Sequence, residues 1–515
     1  MLIAGIGASV DLFTHLWQTV LPDYILNTLL LAIIVIALVL LFGVTSAVIV
    51  VHTNVYAKQV LRWALLLPLA MPAYLVAYLY TDLLDYAGPV QRTIRAWFAW
   101  QSPNDYWFFD IRTLPGAATI IALVLYPYVY MLTRNALSFQ DQSILNASQT
   151  LGLSAKKALI NVAIPMARPA IVISCSLVLM ETMADFATVH YFSVNTLTTA
   201  IYDTWLGYGD LASANLLASV LMLLILFAVV SEQKARAQMR HQSNRITKPP
   251  QPIVLSRTQQ ILASVFCWGL VAIGFLLPIV LLLLMAIEYS DFSQIALLTD
   301  ISVNSVKVSV IAATIAAALA VLYSMYQRFS QDKNKHMPMH LSGFGYAVPG
   351  TVLAMALLAT FGPLDHGINA LLTSLGIDKV GLIFSGSIFA IIFAFVVRFA
   401  AIANGTVNSG MDQIAKNLDY APLSLGLPFN KMLIKVHLPI LSSTIWIAWL
   451  LVFIESMKEL PAVLLLRPFN FETLSTHIYQ LISDEMLEQG AIGAIFIVLL
   501  GLFPIIWLNR VKEAK

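Results

Sequence analysis

The sequence predicts an all-α polytopic membrane protein, and three observations carry that expectation. Of its 515 residues, 59% are hydrophobic and only 11% are charged, where an average soluble domain carries about 25% charged residues. Mean hydropathy is +0.82. Eleven apolar stretches reach or approach the roughly 20 residues that one helix needs to cross a bilayer core. In hydrocarbon every backbone N–H and C=O must be paired internally, so these stretches are helices, and the alternating pattern of a transmembrane barrel is absent.

In chain order, the charge-free stretches are 25–51, 63–81, 113–133, 211–231, 258–287, 308–327, 336–364, 380–397, 436–454 and 489–509. The eleventh, 165–189, is apolar but interrupted by Glu181 and Asp185. This composition excludes an ordinary cytosolic enzyme and a disordered chain. The two cysteines, Cys175 and Cys267, lie inside apolar runs and read as buried thiols, which excludes a disulfide scaffold. A net charge of +2 leaves no basic excess for nucleic acid.

Cations set the expected orientation. With residue 1 outside, 22 of the 29 lysines and arginines fall on the cytoplasmic side. The outer side keeps only Arg92, Arg95, Arg112, Lys307, Lys379, Lys458 and Arg467. The N-terminus is therefore expected outside and the C-terminus inside. No cleavable signal peptide is expected, because the first 21 residues have no Lys or Arg and no long apolar core.

Residues 232–259 are the most polar and basic stretch, stiffened by Pro249, Pro250 and Pro252, and read as a cytoplasmic linker between domains 1–231 and 260–515. The two domains superimpose as sequences. Asn27-Thr28-Leu29 matches Asn304-Ser305-Val306, and Pro72 matches Pro349, at an offset of 277. Gly152, Pro165, Glu181 and Asp185 match Gly426, Pro439, Glu455 and Glu459 at 274, and Thr196-Leu197-Thr198-Thr199 matches Thr473-Leu474-Ser475-Thr476 at 277. A sustained offset means tandem duplication, with parallel halves related by an axis along the membrane normal. The helix 258–287 precedes the Asn304 segment but has no counterpart before Asn27. The expected plan is 6 + 6 with 5 + 6 present, the first helix being lost or the start truncated.

Within each half one cytoplasmic loop repeats a frame. Asn146-Ala147-Ser148-Gln149-Thr150-Leu151-Gly152, nine residues, then Val162-Ala163-Ile164-Pro165, corresponds to Tyr420-Ala421-Pro422-Leu423-Ser424-Leu425-Gly426, nine residues, then Val436-His437-Leu438-Pro439. Local physics gives helix–turn–helix over 139–165 and 412–439. Gly152 and Gly426 can take the left-handed conformation that ends a helix. Ser154 and Pro428 serve as a cap and a first-turn proline, and Pro165 and Pro439 mark re-entry into the membrane.

This frame resembles the EAA loop of ABC-transporter permeases, whose pattern is Glu-Ala-Ala, three residues, glycine, nine residues and Ile-x-Leu-Pro. The segments PLAMPAYLVAYLYTDLLDYAGPVQ at 68–91, LYPYVY at 125–130 and LVLMETMADFATVHYF at 177–192 are similar to the fused two-domain ferric-iron permeases. The glutamate is replaced by Asn146 and Tyr420, and Pro422 replaces an alanine. The resemblance implies that Asn146, Ala147, Ser148, Leu151, Gly152 and Pro165, with Tyr420, Ala421, Pro422, Leu425, Gly426 and Pro439, couple the chain to an ATPase. It implies two copies of a cytoplasmic ATP-binding subunit holding ATP-Mg, a periplasmic substrate-binding protein and a bacterial inner-membrane location. The chain itself has no Gly-x4-Gly-Lys-Ser/Thr motif and is expected to bind no cofactor and no permanent metal.

Charges inside a span are costly and usually face a cavity or a partner. Glu181 and Glu455 each lie 16 residues past a matched proline, with Asp185 and Glu459 one turn further on the same helical face. These four carboxylates, joined by the matched Tyr202 and Tyr479, are candidates for a path suited to a hard trivalent cation. Internal pairing, for example with Lys458 or Lys307, is the alternative. Arg398 reads as a snorkelling anchor at a cytoplasmic helix end. The aromatic outer loop 84–112 reads as an interfacial belt or a docking surface for a binding protein. Thiamine, polyamine and aminophosphonate permeases share the loop, a secondary carrier with two parallel six-helix halves is the rival mechanism, and no constellation for a membrane enzyme is found.

Overall fold

The computed structural model describes residues 10–237, 252–289, 295–332, 334–335, 337–412, 414–415, 417–424 and 428–513. Each apolar stretch read from the sequence contains a helix, although the stretch 380–397 becomes helical only from Ile388. Seven helices have the length and apolar character of membrane spans: Leu21–His52, Leu114–Ser138, Arg257–Tyr289, Ile295–Phe329, Gly350–Ser374, Ile388–Asp412 and Leu433–Lys458. Two bent pairs, Lys58–Ala70 with Ala73–Phe98 and Ala155–Met166 with Arg168–Ala184, raise the number to nine among the described residues. The shorter apolar helices Leu211–Phe227 and Leu487–Phe503 occupy the two remaining stretches. The fold is all-α, and the only pairing of strand type among the described residues is an isolated bridge between Thr53 and Ile253.

The described chain divides into two compact units that cut across the sequence halves. One comprises 10–289 with 478–513, and the other 295–477. The helix Arg257–Tyr289 and the last helix, Leu487–Glu513, therefore pack with elements of the first half.

In the first unit, Leu21–His52 lies along Leu114–Ser138. Gly43 makes that approach possible, since a Cβ there would meet Val129 Cβ at 2.6 Å and the Tyr130 amide at 2.9 Å. Small residues at crossings are how helices gain contact in lipid, where burial of apolar surface between helices drives nothing. In the second unit Ile295–Phe329 buries Ala312, Ala313, Ala316, Ala317 and Ala320 and packs against Ile388–Asp412 and Leu438–Lys458. Large apolar side chains such as Ile33, Leu41, Leu223, Leu283 and Leu322 point outward, as lipid-facing surface requires.

The basic stretch read as a linker is partly helical, because Leu211–Ala237 runs on through 232–237. Its far end is fixed to the first unit. The Ile253 amide donates to the His52 carbonyl at 2.7 Å, the Leu255 amide to Asn54 Oδ1 at 2.9 Å, and Gln260 Nε2 to the Asn54 carbonyl at 3.0 Å. Ser256 and Gln259 then close a capping box that starts the next helix. Of the cysteines, Cys267 is buried and Cys175 half-buried, and both are free thiols.

Candidate functional site

The first connector is the helix Gln142–Thr150, capped by Asp141 through the Ser143 amide at 2.9 Å. It ends in a Schellman turn, in which the Leu153 amide reaches the Ser148 carbonyl at 3.2 Å and the Gly152 amide the Gln149 carbonyl at 2.9 Å. Gly152 has φ +93°, the left-handed conformation expected of it. Ser154 caps the following turn through the Lys157 amide. Asn146, Ala147, Leu151 and Gly152 are exposed, whereas Ser148 is turned inward and donates to the Leu145 carbonyl at 2.7 Å. Phe139 is 68% exposed and Leu151 87%, so this connector presents an uncovered apolar face with Ile144 between them.

The second connector is the helix Asn417–Ser424. Tyr420 is 70% exposed. Ala421 and Pro422 lie in this helix, while Leu425 and Gly426 fall outside the described residues. Pro428 stands just before the turn Phe429–Met432, and its carbonyl accepts the Met432 amide at 3.1 Å.

Both connectors lead into a widened turn. Residues Leu159–Ala163 and Leu433–His437 are π-helical, and Pro165 and Pro439 follow immediately. A proline lacks an N–H and its ring crowds the carbonyl four residues back, so a wider turn accommodates it. In the first half the Ala163 carbonyl accepts both the Ala167 amide at 3.1 Å and Gln140 Nε2 at 2.8 Å.

The two halves anchor their connectors with different chemistry. In the first, the buried inward residue is Leu145. In the second, the matched position is Asp419, and the position matched to Ala163 is His437. Arg328, at the end of Ile295–Phe329, donates through Nε to both Asp419 oxygens at 3.1 and 2.9 Å. Its Nη1 reaches the Met411 carbonyl at 2.6 Å and Nη2 the Ile414 carbonyl at 2.9 Å. His437 Nε2 shares a hydrogen bond with Asp419 Oδ1 at 2.8 Å and is wholly buried. Met325, Met411, Ile414 and Leu441 form a buried apolar cluster with Phe329 packed against it, and the Phe329 ring meets His437 edge-on at 5.4 Å. Sequence reading placed Arg328 as one more inner-side cation and missed the group. Its visible signal was an aspartate and a histidine at inward positions of the connector frame.

At the other end of each helix that follows the connector proline, the backbone breaks. The helices Arg168–Ala184 and Leu438–Lys458 stop at Asp185 and Glu459, with φ −65° and ψ 126° in one and φ −65° and ψ 123° in the other. Asp185 and Glu459 therefore do not continue the helical face of Glu181 and Glu455, as the spacing predicted. The break leaves backbone groups that hydrocarbon cannot satisfy, and hydroxyls matched by the repeat supply the partners. Thr198 and Ser475 donate to the Asp185 and Glu459 carbonyls at 2.8 and 2.9 Å. Thr28 and Ser305 accept the Leu197 and Leu474 amides at 3.0 and 2.6 Å.

Each carboxylate accepts the amide three residues on, Thr188 at 2.9 Å and Ala462 at 3.3 Å, and beyond that they differ. Asp185 turns back on its own chain, accepting the Thr188 amide at 2.9 Å and hydroxyl at 2.8 Å. Glu459 pairs with Arg398 at 3.0 Å, with side chains only 6% and 8% exposed. Arg398 is thus not a snorkelling anchor. It sits in the middle of Ile388–Asp412, and Gly350 makes room for the pair, since a Cβ there would lie 2.5 Å from both Arg398 Nη1 and Glu459 Oε1. Glu181 and Glu455 are half-buried, the former in the first unit and the latter in the second.

Tyr479 and Tyr202 come together in the first unit, with the Phe186 ring tilted against both and His190 beside both. The Tyr479 hydroxyl and His190 Nδ1 lie 2.8 Å apart, and His190 Nε2 lies 3.9 Å from Asp203. One imidazole nitrogen thus bonds the Tyr479 hydroxyl while the other faces the Asp203 carboxylate. Nearby, Arg112 bonds Glu485 at 2.7 Å and approaches Asp85 at 3.5 Å. Burial penalises the Arg112 charge, but the bond to Glu485 and the adjacent acids outweigh it and hold its pKa above the ordinary value. Trp97, Phe98 and Trp107 of the aromatic loop are exposed.

Repeated broken helices, each entered through a connector, define the class: a membrane permease built twice in one chain. The chain belongs to the family of binding-protein-dependent transport system inner membrane components, whose model matches residues 39–233 and 339–515. It is accordingly a multi-pass inner-membrane transport component. Similar proteins include the Fe(3+)-transport system permease protein FbpB 2 of Haemophilus influenzae, 25% identical over 98% of this chain and 92% of that protein. The ferric transport system permease protein FbpB of Actinobacillus pleuropneumoniae is 24% identical over 84% of this chain and 63% of its own length. The putative 2-aminoethylphosphonate transport system permease protein PhnU of Salmonella typhi is 26% identical over 42% of this chain and 76% of its own length.

Proposed function

We propose that this chain supplies both halves of the translocation path of an ATP-driven importer that takes ferric iron from a periplasmic binding protein. Two copies of a separate ATP-binding subunit, each with ATP-Mg, grip the connectors Gln142–Thr150 and Asn417–Ser424. Closing the two ATPases pulls the connectors together and rocks the halves between inward-open and outward-open states. The N-terminus lies outside and the C-terminus in the cytoplasm, where the connectors also lie.

The observation that carries this reading is the repeated connector. The first ends in a left-handed glycine and leaves Phe139, Ile144 and Leu151 uncovered. The second leaves Leu418 and Tyr420 uncovered. An apolar face of this kind on a polar turn supports a partner subunit. The ferric cargo is supported by the two similar ferric permeases, and hard oxygen donors suit a trivalent cation. Glu459 is held by Arg398 and Asp185 by Thr188; Glu181 and Glu455, half-buried and one turn earlier in each half, are the carboxylates assigned to cargo, and Tyr202 and Tyr479 are secondary candidates. The similarity to an aminophosphonate permease supplies the competing cargo.

Uptake into cells, measured with labelled ferric iron and binding protein, should stop at once with vanadate and survive an uncoupler initially. The opposite pattern identifies a secondary carrier. Replacing Glu181 and Glu455 together by glutamine should reduce uptake with assembly intact, and normal uptake removes them from the path.

A further inference from the structure

The buried group Arg328–Asp419–His437 joins more elements than any stability role requires. Asp419 sits on the second connector helix, Arg328 ends Ile295–Phe329, the Met411 and Ile414 carbonyls close Ile388–Asp412, and His437 completes the widened turn that starts Leu438–Lys458. One guanidinium thereby ties its own helix to two further segments through four hydrogen bonds of 2.6–3.1 Å, and Asp419 adds the fourth through His437 at 2.8 Å. A cation set against the last carbonyls of a helix is favourably placed against its dipole. A planar fork fixes direction as well as distance, which an apolar contact does not.

Replacing a buried ion pair with well-packed apolar residues is often neutral or stabilising, so stability alone does not account for the group. The first half makes the point internally, holding its connector with Leu145 at the position of Asp419 and Ala163 at that of His437.

We propose that Arg328, Asp419 and His437 form a rigid joint that transmits movement of the second connector helix to Ile295–Phe329, Ile388–Asp412 and Leu438–Lys458 of its unit. Asp419 is its central positioning residue. The inference rests on the reading that nucleotide-driven movement enters through the connectors. The coupling is unequal: the second connector moves its helices as one body, and the first acts through the apolar Leu145 contact and the single neutral hydrogen bond from Gln140 to the Ala163 carbonyl.

The test uses the whole complex in proteoliposomes, with the partner ATPase and binding protein, and reads iron taken up per ATP hydrolysed. For Asp419→Asn this ratio should fall about 10- to 100-fold, the scale on which a displaced positioning group acts. Asp419→Glu should recover part of it. The double variant Arg328→Met with Asp419→Leu guards against a folding defect: its thermal unfolding in detergent should match the parent while its uptake per ATP stays low. A double variant with the parental ratio overturns the joint, as does an unchanged ratio in Asp419→Asn. Parental uptake that is indifferent to ATP overturns the underlying reading and the joint with it.

Discussion

The two halves repeat the backbone geometry of their widened turns and helix breaks and stabilise it with different chemistry. Each breaks a helix at one carboxylate with almost the same dihedral angles and rescues the break with matched hydroxyls. In the first half the carboxylate closes a local turn with Thr188. In the second it reaches 61 residues back in the chain to Arg398. The connectors divide in the same way, apolar in the first half and ionic in the second. Backbone geometry at a break is therefore the inherited element, because every N–H and C=O in lipid demands a partner. The side-chain charge is free to diverge once some group supplies that partner.

The comparison breaks most readily at Glu459. Glu459→Ala leaves Arg398 charged and buried, and breaking such a pair costs about 3–5 kcal/mol. Asp185→Ala removes one cap and should cost about 0.5–2 kcal/mol. Thermal unfolding in detergent measures both, and equal losses would mean that the Arg398 pair adds nothing special.

The shared part of the comparison is sharpened by Thr28→Val and Ser305→Ala. Each strips the acceptor from one buried amide, Leu197 or Leu474, at about 1–3 kcal/mol. Similar losses in the two variants support a common scaffold; a loss confined to one half contradicts it. The smallest expected effect is at the first connector. Gly152→Val forces a β-branched residue to φ +93°, a strain of about 1–2 kcal/mol in that region. A Cβ there meets no neighbour within 4 Å, so the cost is backbone strain alone. Uptake per ATP should drop more than unfolding temperature, and a change in neither shows that the turn is not needed for coupling.

Much of the fold was legible in contiguous residues. Spans follow from apolar length, Gly152 and Ser154 from turn and cap chemistry, and the duplication from a repeated offset. The helix breaks were not legible. The run 165–189 reads as one helix by composition, and only the hydroxyls of Thr198 and Ser475, distant in sequence, make an interruption tolerable. Arg398 was misread for a related reason, since its place beside an apolar run suggests a helix end whereas the helix continues to Asp412.

By itself the sequence determined that the chain lives in lipid, that it is built twice and where its connectors fall. These depend on transfer free energy and local turn geometry, which neighbouring residues encode. Tertiary structure alone decided which buried charge meets which. Arg328 finds Asp419 across 91 residues and Arg398 finds Glu459 across 61. Those pairings depend on how each helix is rotated about its axis when its small residues seat against a neighbour. That rotation is set by packing between distant segments, and no local run of residues contains it.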